Sequence, residues 1–293
     1  MIPRLLTLTG VLWLAAMAAA DEPVAILADR RINEASGLVR SLRHADVFWT
    51  HNDSGGEPCL FAIDRKGRTR AKVRLPGAAN FDWEDLTAWK DAEGRAWLFV
   101  GDIGDNFRLR PSIQVYQIPE PDLSADPGHE VESARPRLWR GAYPDGRHDA
   151  ESLAIDPRDG RLHVVTKRED GRSAVYAFPT VLEEGRALTL EKIAELRFPL
   201  LEHTGKRPRD AAMATAACFA PDGRRFLVAT YTHFYEWRIG EGETLATALQ
   251  RDPESIRPPL LRQMEGACYD ADGRSLWFIS EQLPTPLRLL KRP

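Results

Sequence analysis

Four stretches of the chain share one alternation of polar and apolar positions: EDLTAWKDAEGRAWLFVGD, ESLAIDPRDGRLHVVTKR, TAACFAPDGRRFLVATY and EGACYDADGRSLWFISE. Each opens on a Glu or Thr and runs as a short strand. Each then turns at Glu-Gly-Arg or Asp-Gly-Arg and resumes as an almost wholly apolar run. An acidic residue followed by glycine between two β-rich runs is a hairpin signal. EASGLVRSLRHADVFWTHND is a fifth copy without the glycine turn. The opening residues are Glu34, Glu84, Glu151, Thr215 and Glu265, so the repeat returns every 50, 67, 64 and 50 residues.

The second run of each copy (VFWT, WLFV, LHVV, FLVA, LWFI) has no polar face. A strand of that kind is covered on both sides. A third strand follows each pair: LFAID, IQVYQI, AVYAF, YEWRI and PLRLL. A fourth follows in most: AKVRL, RPRLWRG, KIAELRF and PPLLRQ. The last copy ends at Pro293 without a fourth, and VAILADRR precedes the first copy and can complete it. The pattern predicts an all-β chain forming one β-propeller over residues 21–293, with five four-stranded blades and a ring closed by the N-terminal strand. Six blades, one of them degenerate, and a β-sandwich are the alternatives. Insertions are expected before Glu151, at LEHTGKRPRD, and as a short helix in GETLATALQ.

Strand direction places the candidate chemistry. The first strand of a blade starts at one face and the antiparallel second strand returns to it. The innermost strands therefore start at the mouth of the central channel, where Glu34, Glu84, Glu151, Thr215 and Glu265 form a ring. Asp82 and Asp149 stand two residues before two of them. The second strands end at HNDSG, GDIGDN, TKRED, TYTHF and SEQ, which supply a wider ring: Asn52, Asp53, Asp102, Asp105, Asn106, Lys167, Tyr231 and Glu281. Few cations oppose these acids: Lys167 and Arg168, with His51, His148 and His233. Crowded glutamates either keep protons or share a cation. Ca2+ accepts six to eight oxygen ligands flexibly. A metal at the mouth, a metal-free salt-bridge network in which Lys167 serves two glutamates, and a protonated catalytic pair all remain open. GDIGDN itself reads equally as a ligand loop and as a turn whose aspartates bind their own backbone amides.

Composition narrows the classes. MIPRLLTLTGVLWLAAMAAA combines one early cation, an apolar stretch and small residues before Asp21, the pattern of a secretory signal peptide over residues 1–20. The protein is accordingly expected to be exported, periplasmic or extracellular, not membrane-bound, and a monomer. The formal net charge of −3, which becomes about −4 without Arg4, argues against nucleic acid as partner. Cys59, Cys218 and Cys268 are too few for a disulfide scaffold. The sequence has no G-x-S-x-G, no H-E-x-x-H and no nucleotide-binding glycine loop.

At NEASGL, DWEDL, DAESL and MEGACYDADG the chain resembles exported bacterial propellers of the NHL-like and "esterase-like activity of phytase" types, which repeat a Glu-x-(Ser/Gly)-(Leu/Ile) opening. The ring also resembles that of five-bladed calcium-activated nucleotidases (apyrases), in which one Glu or Ser per blade holds a central Ca2+. That resemblance implies a calcium shell of Glu34, Glu84, Glu151, Thr215 and Glu265. Similarity to gluconolactonase-type propellers, which hold one divalent ion with Glu, Asn and Asp, implies comparable parts for Glu34, Asn52, Asp102 and Asp105. Two functions of different class follow as expectations. One is a cation-dependent ligand-binding mouth, for a small or extended ligand. The other is a metal-dependent hydrolase of esters, lactones or phosphoesters, with an outer carboxylate or His233 as base. A protein-interaction platform without chemistry is the third reading.

Overall fold

The computed structural model describes residues 23–123, 128–202 and 205–292. The signal-peptide expectation lies outside them. Among the described residues no helix is long and apolar enough to cross a membrane.

Five blades surround a channel, as the repeat predicts; among the described residues neither a sixth blade nor a sandwich forms. The innermost strands are Ala35–Arg40, Trp83–Lys90, Ala150–Ile155, Ala214–Phe219 and Met264–Tyr269. Their partners are Val47–Asn52, Ala96–Asp102, Leu162–Thr166, Arg225–Thr230 and Leu276–Ser280. The short N-terminal strand Ala25–Ile26 pairs antiparallel with Pro286–Leu290, Ala25 opposite Leu287, and completes the fifth blade. The chain therefore closes its own ring.

The two-sided apolar second strands are explained by packing between blades. Val165 and Val175 of blade three meet Phe226, Val228 and Tyr235 of blade four in one buried cluster. Each sheet thus supplies both a wall for its neighbour and a face against the next.

Three details differ from the expected pattern. The fourth strand of blade four is Glu254–Ile256, not the PPLLRQ segment after it. Pro258 and Pro259 have no N–H to give a ladder, so that segment runs as a loop. Blades one and two each gain a fifth, parallel outer strand. His129–Glu132 pairs with Thr69–Arg74, and Ala187–Thr189 with Arg137–Ala142. In both cases the connection between the third and fourth strands of one blade stitches the rim of the blade before it. The helix expected in GETLATALQ is a single turn, Leu245–Ala248, capped by Thr244.

The mouth is shaped by a repeated irregularity. Trp83 pairs with Asp102 and Asp85 with Gly101, so Glu84 stands as an extra residue in the ladder. Glu151, Thr215 and Glu265 are skipped in the same way. A bulge of this kind kinks the strand and re-aims one side chain. Four of the five expected ring residues are the bulged residues of their strands.

Candidate functional site at the acidic mouth

Backbone bonds between strand ends show which positions are equivalent. The Asp53 N–H donates to the Glu34 carbonyl (2.9 Å), Ile103 to Asp82 (3.2 Å), Lys167 to Asp149 (3.0 Å) and Glu281 to Gln263 (2.9 Å). Glu34 is therefore the counterpart of Asp82, Asp149 and Gln263, not of Glu84. Ser36 takes the inner place in blade one. Its Oγ donates to the Glu84 carbonyl at 2.5 Å, and it is buried, whereas Glu34 is exposed at the rim. The inner ring reads Ser36, Glu84, Glu151, Thr215 and Glu265, and all five are buried. The Thr215 hydroxyl is buried without a hydrogen-bond partner.

GDIGDN divides into scaffold and cradle. Asp105 accepts the amides of Leu109 and Arg110, both at 2.8 Å, and its own N–H donates to Asp149 Oδ1 at 2.9 Å. Asp102, fully buried, lies 2.6 Å from Arg110 Nη1. Burial raises the pKa of Asp102 and Arg110 opposes the rise. Arg110 also donates to the Gly104 carbonyl at 2.8 Å. The two aspartates thus hold the loop's own backbone and one arginine. Asn52 is likewise structural: its amide bonds the Arg31 carbonyl (2.7 Å) and its oxygen accepts the Glu34 N–H. Asn106 is exposed. What the loop contributes to the mouth is Gly104, where a Cβ would overlap Glu84 Oε1 and Asp82 Oδ2. Only glycine lets the backbone pass this close to the two carboxylates.

Those carboxylates, with Asp53, form the densest acidic group. One ligand oxygen from each of Asp53, Asp82 and Glu84 lies within 4.8 Å of the others. They come from the end of a second strand in blade one and the start of the first strand in blade two. Among the described residues no protein group donates a hydrogen bond to the Asp82 or Glu84 side chain. Burial, then the neighbouring carboxylates, push Asp82 up to about 6 and Glu84 well above the usual range. Burial also lifts Asp53 to about 6, although the Ser54 amide opposes it at 2.5 Å.

One ammonium serves the other side of the ring. Lys167 Nζ bonds Glu151 Oε1 and the Tyr231 hydroxyl, the latter at 3.0 Å. Burial works against its charge, but Glu151, Tyr231 and Glu265 outweigh it and the Lys167 pKa rises. Burial lifts Glu151 to about 7 even with Lys167 beside it, and Glu265 well above the carboxylate range. Glu281 accepts from Gln263 Nε2 at 2.5 Å at the edge of this group.

Three histidines lie near the strand ends that reach the mouth. His233 is buried, with Nδ1 on the Thr232 hydroxyl at 2.8 Å. His51 is fully buried, which lowers its pKa to about 4 and keeps it neutral. His148 bonds Asp145 at 2.9 Å. The three cysteines are free thiols, Cys59 and Cys268 buried.

Two functional groups escape a reading of the sequence. Arg110, eight residues past Asp102, has no motif around it. Asp85, next to Glu84, turns the other way because Glu84 is bulged. Its carboxylate accepts the amides of Leu86 (2.8 Å), Leu153 (2.9 Å) and Ala217 (3.1 Å), tying blades two, three and four together below the mouth. Its counterparts in the other blades are Gly37, Ser152, Ala216 and Gly266. A Cβ on Gly266 would meet the Gly37 carbonyl carbon at 2.7 Å, so one carboxylate fills the space that four small residues leave.

Fold and mouth together define the class: a five-bladed β-propeller with a buried acidic ring at one end of its channel. No known family profile matches the chain, and no curated protein matches it. Solved structures do. A gluconolactonase of Xanthomonas campestris is 14% identical, with 87% of this chain and 72% of that one covered and a TM-score of 0.44. A Kuenenia stuttgartiensis hydrazine synthase is 9% identical over 88% and 71%, with a TM-score of 0.44. A Bacteroides thetaiotaomicron protein provisionally described as a phosphatase is 10% identical over 89% and 72%, with a TM-score of 0.48. Identities this low transfer no activity.

Proposed function

We propose that the mouth is a divalent-cation site that fixes a small ligand on its face, with Asp53, Asp82 and Glu84 as the protein ligands and Ca2+ as the ion their oxygens suit. The observation behind this reading is the approach of three carboxylates within 4.8 Å with no cationic side chain bonded to two of them. The Gly104 cradle fits the same reading, since it leaves the oxygens free of a side chain. A divalent ion bound there would supply charge neutralisation and polarise a ligand oxygen. The ligand lies in the adjoining cleft of about 660 Å3, which Phe81, Asp82, Asn106, Phe107 and Arg110 line. Phe81 is 65% and Phe107 85% exposed, so the cleft offers a ring or alkyl group two aromatic faces. Export, which would bring the site into calcium-rich surroundings, belongs to the same proposal.

A second reading, hydrolysis of an ester, lactone or phosphoester, is favoured by the Tyr231–Lys167–Glu151 chain beside the ring. It joins a buried carboxyl near neutrality to an ammonium and a phenol.

The test is thermal unfolding of the whole protein in excess chelator and after Ca2+ is restored, with metal content measured on the same samples. Ca2+ at 100 times its dissociation constant should stabilise by about 2.7 kcal/mol. Asp82→Asn should abolish that response. An unchanged melting temperature under both treatments would refute the cation site and leave a metal-free network.

A further inference from the structure

The gap between blades four and five is built from the same positions as the carboxylate triad but carries the opposite charge. Tyr231 stands at the end of a second strand, where blade one has Asp53. Arg262 and Gln263 stand at the start of a first strand, where blade two has Phe81 and Asp82. The insertion between blades three and four lays Lys206 and Arg207 over this gap. Together with Gly205 and Asp210 these residues enclose a cleft of about 600 Å3.

The side chains are held for a ligand more than for each other. Lys206 Nζ bonds the Arg262 carbonyl, which anchors the insertion to blade five. Among the described residues the Arg262 guanidinium has no carboxylate within ion-pair distance. The Arg207 side chain keeps one ion pair among the described residues, Nε to Asp210 Oδ1 at 3.3 Å. The Tyr231 hydroxyl is polarised from behind by Lys167 at 3.0 Å. Three cations and a phenol therefore face one cleft that contains one carboxylate, Asp210.

We infer that this cleft is an oxyanion subsite, taking the phosphate or carboxylate group of a small molecule between Arg262, Lys206, Arg207 and Tyr231. A planar guanidinium and an ammonium converging on one space recognise such a group through charge-assisted bonds. The inference rests on the proposed ligand-binding face only for the rest of the ligand; the subsite itself needs no cation.

The experiment titrates the chelator-treated protein with inorganic phosphate and, separately, with malonate, by isothermal calorimetry at low salt. Saturable binding of at least one anion is expected, weakened tenfold or more in Arg262→Gln and in Lys206→Ala, and the preferred anion identifies the ligand's group. Arg262 is exposed, so its variant should keep the wild-type melting temperature and remain informative even if Lys206→Ala loosens the insertion. Ca2+ binding, measured on the same variants, should stay within twofold of wild type. Anion binding without Ca2+ binding would sink the cation reading and leave the subsite standing. Failure of both anions to saturate, or wild-type affinity in Arg262→Gln, would overturn the subsite.

Discussion

Glu265→Gln isolates what burial does to one member of the ring. Glu265 is 7% exposed, and burial followed by Glu151 pushes its carboxyl well above the usual range while Lys167 pulls it back. A carboxyl raised in the folded state stabilises the protein below its unfolded value, and that contribution is lost as pH rises toward the folded value. While the fold keeps the proton and the unfolded chain does not, each pH unit removes about 1.4 kcal/mol. His51 and His163 act oppositely at lower pH. Burial holds both at about 4, so they destabilise the fold as pH falls from about 6.5. Both are present in the wild type and the variant, so their contribution is common to the two curves. As pH rises above the usual carboxylate range the wild type should therefore lose stability that Glu265→Gln, neutral throughout, does not lose. At roughly 2–4 °C per kcal/mol for a chain of this order, the variant should gain about 3–6 °C on the wild type for each pH unit over which the fold keeps that proton. The assay is the melting temperature of both proteins in chelator at half-unit steps from pH 6 to 8. Groups distant from Glu265 cancel in the difference; Glu151 and Lys167, which interact with it, do not. Parallel curves would refute a protonated Glu265 and with it the view that Lys167 leaves the ring short of positive charge.

Three further outcomes test separate parts of the structure. Asp85→Ala leaves the amides of Leu86, Leu153 and Ala217 without their acceptor, at about 1–3 kcal/mol each; urea unfolding should show a loss of at least about 3 kcal/mol, and a loss under 1 would mean the three blades are not joined through this carboxylate. Gly104→Ala should blunt the calcium response while the melting temperature in chelator falls little, and an undiminished response would place the ion elsewhere. Leu27, buried in the segment that closes the ring, should cost about 2–5 kcal/mol on replacement by Ala; a neutral effect would argue against closure through the N-terminal strand.

Much of the architecture is legible in the amino-acid order. The five repeats, their turns, the apolar second strands and the pairing of Ala25–Ile26 with Pro286–Leu290 all follow from alternation and turn chemistry, because these are local or repeat every blade. The face that carries the acids follows as well, since strand direction alone puts Glu84, Glu151, Thr215 and Glu265 at one mouth. What alternation cannot supply is the step along that face. Glu34 and Ser36 lie two residues apart and so point the same way, and only the strand pairing shows that Ser36, not Glu34, completes the inner ring. The bulge at Glu84 is likewise a property of two strands, and it sends Asp85 to the core while Glu84 stays at the mouth. The charge balance is decided still further from any local pattern. Arg110 reaches back to Asp102 across its own loop, Lys167 is shared between Glu151 and Tyr231 of different blades, and Lys206 meets Arg262 across 56 residues. Which acid keeps a partner and which is left for a ligand depends on distances between blades, and those exist only once the ring has closed.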